Sequence, residues 1–380
     1  MFQSLLSNSR RQLFFNLIIF NTAYAWSRTF SGSVINPHFL RSGLSIQQIL
    51  LGVLFSFIGI AGLLMFVKKI SSKTSWRLAI ITAFAYILFV TKINSLWQFY
   101  FASVLSGLVM ALLYVAYNIA HYQLTPKHRT SYSSAILFSI FPLVGLVAPL
   151  VAGFCAEISY NLIWILSGFF FLLSFYVIKF QKQFLVTIDL QSGFKTIKAM
   201  RLFVFLEGIW ETLPFGIIPV FSLYFIKSPL YYGTYMAYLS LMSVIANLIL
   251  GQISDKLKRR LLFLYPVTIL MALTTFAFPL VVFNLVFWLI LTGIIQFLVP
   301  LFWNFSTSMF IDCHPDVAKS MPIREFLLAL GRILGLALVF INFQFEAVPH
   351  LIFFFLGGIM LLYPAILFYN TRISHKYQYL

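Results

Sequence analysis

Acidic residues are the scarcest feature of this chain: 9 Asp and Glu in 380 residues, with charge of any sign at only 9% of positions. A soluble domain carries about a quarter charged residues, so water is not the main solvent of this surface. Cysteine is nearly missing as well, with only Cys155 and Cys313. The topology derived below places them on opposite sides of a membrane, which excludes a disulfide, and nothing has the spacing of a metal-ligand cluster. No G-x-x-x-x-G-K-[ST] loop occurs, and no segment between the apolar runs is long enough to hold a nucleotide-binding domain. A primary pump would therefore need a separate subunit to hydrolyse ATP. No cofactor and no metal are expected.

What the chain has instead is apolar length: 61% hydrophobic and 19% aromatic residues, with mean hydropathy +0.95. The 45 Phe carry no weight as a site. A spanning helix needs ~20 apolar residues. Twelve such runs can be read, at about 13–35, 47–67, 78–95, 98–121, 132–154, 160–178, 202–226, 233–252, 261–280, 284–310, 323–343 and 349–369. Ser9-Arg10-Arg11-Gln12-Leu13-Phe14 looks like an export signal and Ala23-Tyr24-Ala25 like a cleavage site. The apolar stretch continues past Ala25 to about Ile35, so it reads as a retained first helix. The longest segment outside the runs divides the chain into a six-helix unit at 1–178, a cytoplasmic linker at 179–201 and a second six-helix unit at 202–380.

A formal charge of +17 would suggest nucleic acid in a soluble protein, and its distribution argues otherwise. With the N-terminus inside, 21 of the 26 Lys and Arg fall on cytoplasmic segments, Arg324 counted among them. Only Arg41, Lys92 and Lys227 fall outside, and Arg28 and Arg332 lie within the membrane. That bias places both termini and the linker in the cytoplasm and excludes nucleic acid as the partner. The halves also form a weak repeat at an offset of about 182–190 residues. Asn36-Pro37 matches Ile218-Pro219, and Leu112-Leu-Tyr114 matches Leu301-Phe-Trp303.

Between the eighth and ninth runs stands Gly251-Gln-Ile-Ser-Asp255-Lys256-Leu-Lys258-Arg259-Arg260. A small residue lets two helices approach closely, an acid can cap a neighbouring helix, and the basic cluster holds the turn in the cytoplasm. The stretch resembles the loop signature of the major facilitator superfamily, G-x-x-x-D-(R/K)-x-G-R-R, with Lys258 at the second glycine. Its first-half counterpart, Lys68 to Arg77, keeps the charge but lacks both glycine and acid. Gly145-Leu-Val-Ala148-Pro149-Leu-Val-Ala152-Gly153 resembles a second pattern of the superfamily, G-x-x-G-P-x-x-G-G, with alanine at two glycines. In the family this pattern accompanies exporters that exchange substrate for protons; it also reads as generic small-residue packing. The family's helix 4 arginine is absent from Leu105-Ser-Gly107. The resemblance implies an all-α polytopic membrane protein of 12 transmembrane helices in two pseudo-symmetric six-helix bundles. It also implies that Asp255 docks around Arg129–Ser131 when the inner side is closed.

Ionisable residues inside spanning helices are costly and usually functional. Glu207 and Glu211 share a face of helix 7 at i,i+4 spacing, and Glu211 lies ~15 Å deep. Pro214 and Gly216 just beyond should weaken that helix. A paired, desolvated carboxylate can take up a proton, or can serve in a structural ion pair. Helix 11 carries Glu325 and Arg332 on roughly one face, with Gly331 and Gly335 admitting a helix or a ligand. Arg332 either binds an anionic substrate or pairs with Glu211 or Glu325. The proton-coupling candidates are therefore Glu211, Glu207 and Glu325. Arg28, near Asn21 and Ser27, faces a cavity or snorkels outward. Gln296, Trp303 and Asn304 read as amphipathic lining of helix 10, with Trp303 as a packing residue or a ligand platform. The substrate-binding candidates are Arg28, Arg332, Trp303, Asn304, Gln296 and Asn21. His38 reads as solvated, His121 and Asn118 as facing the cavity or the inner interface, and Asp312, His314 and Asp316 as a solvated loop.

Together these readings point to a secondary active transporter, not an enzyme, that moves a small organic, anionic or amphiphilic solute by proton-coupled export and alternating access. A lipid flippase of the same fold and a transport-dead sensor or scaffold are the alternatives, with a membrane enzyme behind them. The expected partners are a small-molecule substrate, protons and the lipid bilayer, around a monomer in the cell membrane.

Overall fold

The computed structural model describes residues 8–125, 130–254, 261–280, 284–345 and 349–370. Among them, 11 helical segments are long and apolar enough to cross a membrane. They coincide with the second to twelfth apolar runs. The first run is helical as well, as α1 (Asn8–Ser33) followed by the short α2 (Ile35–Arg41). It falls short on apolarity because of residues such as Asn21, Ser27 and Ser31, and these side chains are buried. The helix is covered by protein, where hydroxyls can find partners: Ser27 Oγ donates to Ser167 O at 2.8 Å and Ser31 Oγ to Ser27 O at 3.0 Å.

The first half continues with α3 (Ile46–Phe66), α4 (Ser72–Thr91), α5 (Leu96–Leu124), α6 (Thr130–Gly145), α7 (Ala148–Ile158) and α8 (Tyr160–Val177). The linker holds α9 (Leu190–Thr196). The second half is built from α10 (Arg201–Trp210), α11 (Ile218–Phe221), α12 (Pro229–Ser254), α13 (Leu261–Ala277), α14 (Leu285–Cys313), α15 (Val317–Phe343) and α16 (Leu351–Phe368). Short polar residues start many of these helices by capping free backbone N–H groups. Ser45 and Gln48 form a reciprocal capping box on α3, and Ser71, Ser95 and Asn284 cap α4, α5 and α14.

Prolines break two spans. The fifth is interrupted at 146–147 between α6 and α7, with Pro149 in the first turn of α7. The seventh loses its regular spacing after Trp210. There Pro214 cannot donate, and Ile218 N reaches back five residues to Leu213 O. The weakness anticipated from Pro214 and Gly216 thus appears as a widened turn over Leu213–Ile217, directly after Glu211.

The two bundles meet along a seam in which α3 and α5 face α15, α6 and α7 face α12, and α6 also faces α14. Small residues permit this approach. A Cβ on Gly153 would lie 2.9 Å from Pro229 O, and one on Gly233 would collide with Pro149 O. The helix 5 motif therefore packs across the seam, onto α12. Gly331 and Gly335 serve a different contact: Cβ atoms there would lie 2.7 Å from Ile209 N and 2.8 Å from Ile209 O. They admit α10, a neighbour in their own bundle, rather than a ligand.

Polar ties close both ends of the seam. At one end Glu157, in the last turn of α7, accepts from Ser228 Oγ at 2.7 Å and from Leu230 N at 3.4 Å, with Arg41 at 3.4 Å. A carboxylate is disfavoured at the C-terminus of its own helix and favoured at the N-terminus of another, so its place is explained by α12 across the seam. Nearby, Tyr232 Oη donates to Pro219 O at 2.6 Å and accepts from Asn36 Nδ2 at 3.1 Å. The repeat-related Asn36-Pro37 and Ile218-Pro219 are thereby joined through one hydroxyl. At the other end Thr130 Oγ1 donates to Asp312 Oδ1 at 3.1 Å and Asn118 Nδ2 to Glu325 Oε1 at 3.3 Å. The linker is structured too: β1 (Lys69–Ser71) pairs antiparallel with β2 (Leu185–Thr187), with Ile70 opposite Val186. The acid-free counterpart of the Gly251–Arg260 signature is thus a strand edge for the linker.

Two outcomes check this packing. Gly331→Val should lower the thermal unfolding midpoint of the detergent-solubilised protein by an overpacking cost of about 1–3 kcal/mol, whereas Gly32→Ala, with nothing within 4 Å, should leave it unchanged. Glu157→Ala should loosen its end of the seam by about 1 kcal/mol. It would be read as a longer distance between spin labels at the exposed Lys92 and Val286, which lie on opposite bundles.

Candidate functional site

The break in the seventh span puts Glu211 where α10 ends, facing α14 and α15. Its Oε2 accepts from Arg332 Nη2 at 2.6 Å and Nε at 2.9 Å, and its Oε1 accepts from Trp303 Nε1 at 2.6 Å. Glu211 is 2% exposed, so three donors satisfy a carboxylate that water barely reaches. A charge taken out of water is tolerated when it is paired and hydrogen-bonded. Arg332 also lies 4.8 Å from the Phe215 ring centre and 5.3 Å from that of Phe57. Phe215 stacks on Trp303 at 5.4 Å, and Phe138 approaches Trp303 at 5.9 Å. Phe57 belongs to α3 and Phe138 to α6, so aromatic rings of the first bundle close over an ion pair of the second.

About two turns along α15 lies a second pair. Arg324 Nη2 donates to Glu207 Oε1 at 2.8 Å and to Thr307 Oγ1 at 3.1 Å, and Arg324 Nη1 lies 3.5 Å from Glu325 Oε1. Both members are buried. The i,i+4 spacing of Glu207 and Glu211 does set them on one face, and each meets its own arginine on the facing helix. Of the two partners left open for Arg332, the geometry selects Glu211; Glu325 binds Arg324 and Asn118 instead.

Arg324 is the residue that reading the sequence missed. Counting it with the cytoplasmic charges is corrected by its burial at 7% exposure. The available signal was its position one residue before Glu325, on the helix that carries Arg332. Thr307, Phe57 and Phe215 could not be found in advance, because they join the cluster only through helix packing.

Other candidates are placed less centrally. Arg28 is half-buried and donates to Ser106 Oγ at 3.0 Å beneath the Tyr86 ring. Gln296 is corrected from a lining residue to a tie between helices, since its amide donates to Ser243 Oγ at 2.8 Å. Asn304 and Asn21 are fully buried among the helices. His121 is also enclosed, bonded to Ser133 Oγ at 2.8 Å. His38 is not solvated: it meets Val90 O at 2.9 Å under the Tyr160 ring, and burial lowers its pKa below the usual imidazole value. His314 bonds the Phe310 carbonyl and Asp316 caps α15, whereas Asp312 accepts from Thr130 across the seam. Gly145, Pro149 and Gly153 lie at the seam. Gly251 is in the last turn of α12, whereas Asp255, Lys256, Arg259 and Arg260 lie outside the described residues.

A helical membrane protein with a bundle-to-bundle seam and paired charges at its centre has the architecture of a carrier. The family description "Major Facilitator Superfamily" matches residues 17–316, and the chain belongs to that superfamily. No curated protein matches it at the level of sequence. Among solved structures it is similar to the crystal structure of the human organic anion transporter MFSD10 (TETRAN), with TM-score 0.65 and 11% identity. The alignment covers 95% of this chain and 100% of the other. At that identity the likeness is one of fold.

The second pair makes a clear stability prediction. Arg324→Met alone strands Glu207 without its cation and should cost about 3–5 kcal/mol in thermal or denaturant unfolding, while adding Glu207→Leu should recover most of it.

Proposed function

We propose that this member of the superfamily is a proton-coupled secondary transporter that exports a small organic, anionic or amphiphilic solute by alternating access. The observation that carries the reading is the Glu211 carboxylate, held at the bundle seam by Arg332 and Trp303. Ionised, it draws both donors toward the second bundle. A proton arriving there removes the charge that holds Arg332, and the guanidinium and indole are released toward the Phe57 and Phe138 rings of the opposite bundle. Protonation of one buried carboxylate would thus change the contact between the bundles, which is what coupling requires.

The moving bodies are the units 1–178 and 202–380, joined through the linker 179–201. The distribution of Lys and Arg supports cytoplasmic termini and linker in a cell membrane, with Asp255 as a latch at the inner end. The resemblance of the helix 5 motif supports the export direction. An anionic cargo agrees with the arginines among the spanning helices and with the similarity in fold to a protein described as an organic anion transporter. A monomer suffices, because the seam lies within one chain.

In proteoliposomes with an imposed pH gradient, the wild-type protein should accumulate an organic anion uphill. Glu211→Gln should abolish uphill accumulation, by tenfold or more, while equilibrium exchange continues. Uphill accumulation that survives in Glu211→Gln would remove Glu211 as the coupling group. Asp255→Ala should slow flux severalfold and leave cargo binding intact; if binding disappears, Asp255 is a ligand and the latch is wrong.

A further inference from the structure

Three guanidiniums lie among the spanning helices, and they are not equivalent. Arg324 and Arg332 each face a glutamate, at 2.8 and 2.6 Å. Arg28 has no carboxylate partner among the described residues. Its neighbours are the Ser106 hydroxyl at 3.0 Å and Tyr86, whose ring centre lies 5.7 Å away. A hydroxyl and a ring face orient a guanidinium without neutralising it, and most of its five N–H donors are left over. An arginine in a spanning helix that finds no acid is expensive to keep. Such a charge is retained where an anion meets it.

Within the second bundle Glu207, Glu211 and Glu325 already outnumber Arg324 and Arg332, so an anion finds no uncompensated cation there. While Glu211 is ionised, an anion that sought Arg332 would have to displace it from two charge-assisted hydrogen bonds and would leave that carboxylate buried and alone. At Arg28 it displaces nothing ionic.

The surroundings suggest the rest of the ligand. From Ser106 a stripe at four-residue spacing runs along α5 through Met110 and Tyr114 to Asn118, each half-buried or buried. At ~1.5 Å per residue it is ~18 Å long, and Asn118 at its far end is the residue that holds Glu325. The Tyr114 ring lies edge-on to Tyr24 at 6.0 Å. Between its ends the stripe is a thioether and a phenol, both half-buried, which suit an apolar, flat body.

We propose that Arg28 is the anion receptor of the transport site, and that it selects organic monoanions with an aromatic or otherwise apolar body lying along Met110 and Tyr114. The inference rests on the transporter reading above, and it moves the anion site from Arg332 to Arg28. Arg28 acts by direct contact with the cargo; Ser106 and Tyr86 position it.

The test is calorimetric binding to the full chain in nanodiscs, with 1-naphthoate and 1-naphthalenesulfonate as anions and 1-naphthalenemethanol as the neutral analogue. Both anions should bind at least tenfold more tightly than the alcohol. Arg28→Gln should erase that preference while leaving the thermal midpoint and the weak binding of the alcohol in place. Where Arg28→Gln does not fold, Arg28→Lys serves: it keeps the charge and loses the bidentate fork, and should reduce the anion preference at least threefold. Equal binding of anion and alcohol by the wild type, failure of all three probes to bind, or an unchanged preference in the folded Arg28 variant overturns the assignment. The transporter reading fails separately. Anion binding that depends on Arg28, without any flux of 1-naphthoate in proteoliposomes, keeps the site and sinks the carrier. Flux that is indifferent to Arg28 does the reverse.

Discussion

A carboxylate buried at the end of a broken helix is the constraint on which the centre of this protein depends. Glu211 is surrounded by apolar rings and spanning helices, and it persists because Arg332 and Trp303 supply three donors to its two oxygens. The two donor residues come from different stretches of chain, so α10, α14 and α15 must be held in register for the charge to be satisfied. The widened turn at Leu213–Ile217 is part of the same arrangement, since it follows directly after the carboxylate. Irregular backbone of this kind is tolerated at membrane depth only where protein, not lipid, surrounds it.

Around this centre the structure separates two kinds of close packing. Gly208, Gly331 and Gly335 bring α10 against α15 within the second bundle and so fix the two ion pairs. Gly153 and Gly233 bring α7 against α12 between the bundles. Lipid offers no hydrophobic drive for helices to associate, so contact depends on backbones that can approach closely and on polar ties. Glu157 on α12, Tyr232 between Asn36 and Pro219, and Asn118 on Glu325 are such ties. All involve few, partly accessible hydrogen bonds, the kind of contact that a bundle-to-bundle motion can make and break.

Much of the fold was legible because membrane helices announce themselves. Apolar runs of the right length identified twelve spans, and the family signature with the 6+6 count suggested the pseudo-symmetric bundles. Among the described residues 11 of the runs form helices long and apolar enough to cross a membrane, and the first is helical but carries polar residues that turn toward protein. The site was legible in part. Glu207, Glu211 and Arg332 stood out as charges in apolar runs, and the pairing of Glu211 with Arg332 was one of the options their depth allowed. Arg324 was misplaced, because a charge near the end of a run looks cytoplasmic until the neighbouring helix is known to bury it. Gln296 and Asn304 had the right periodicity for lining, but periodicity says nothing about which neighbour a face meets.

The sequence by itself determined that the chain spans a membrane many times and which few charges are too costly to be incidental. These follow from transfer free energies, which depend on composition and order alone. Only the tertiary structure decided which charges cancel. Arg332 looks no different from Arg28 in a one-dimensional chain and Arg324 looks cytoplasmic, yet Arg332 and Arg324 are neutralised by glutamates more than a hundred residues away and Arg28 meets no carboxylate among the described residues. The difference arises because Coulomb pairing falls off over a few ångströms, and only packing determines what lies within that distance.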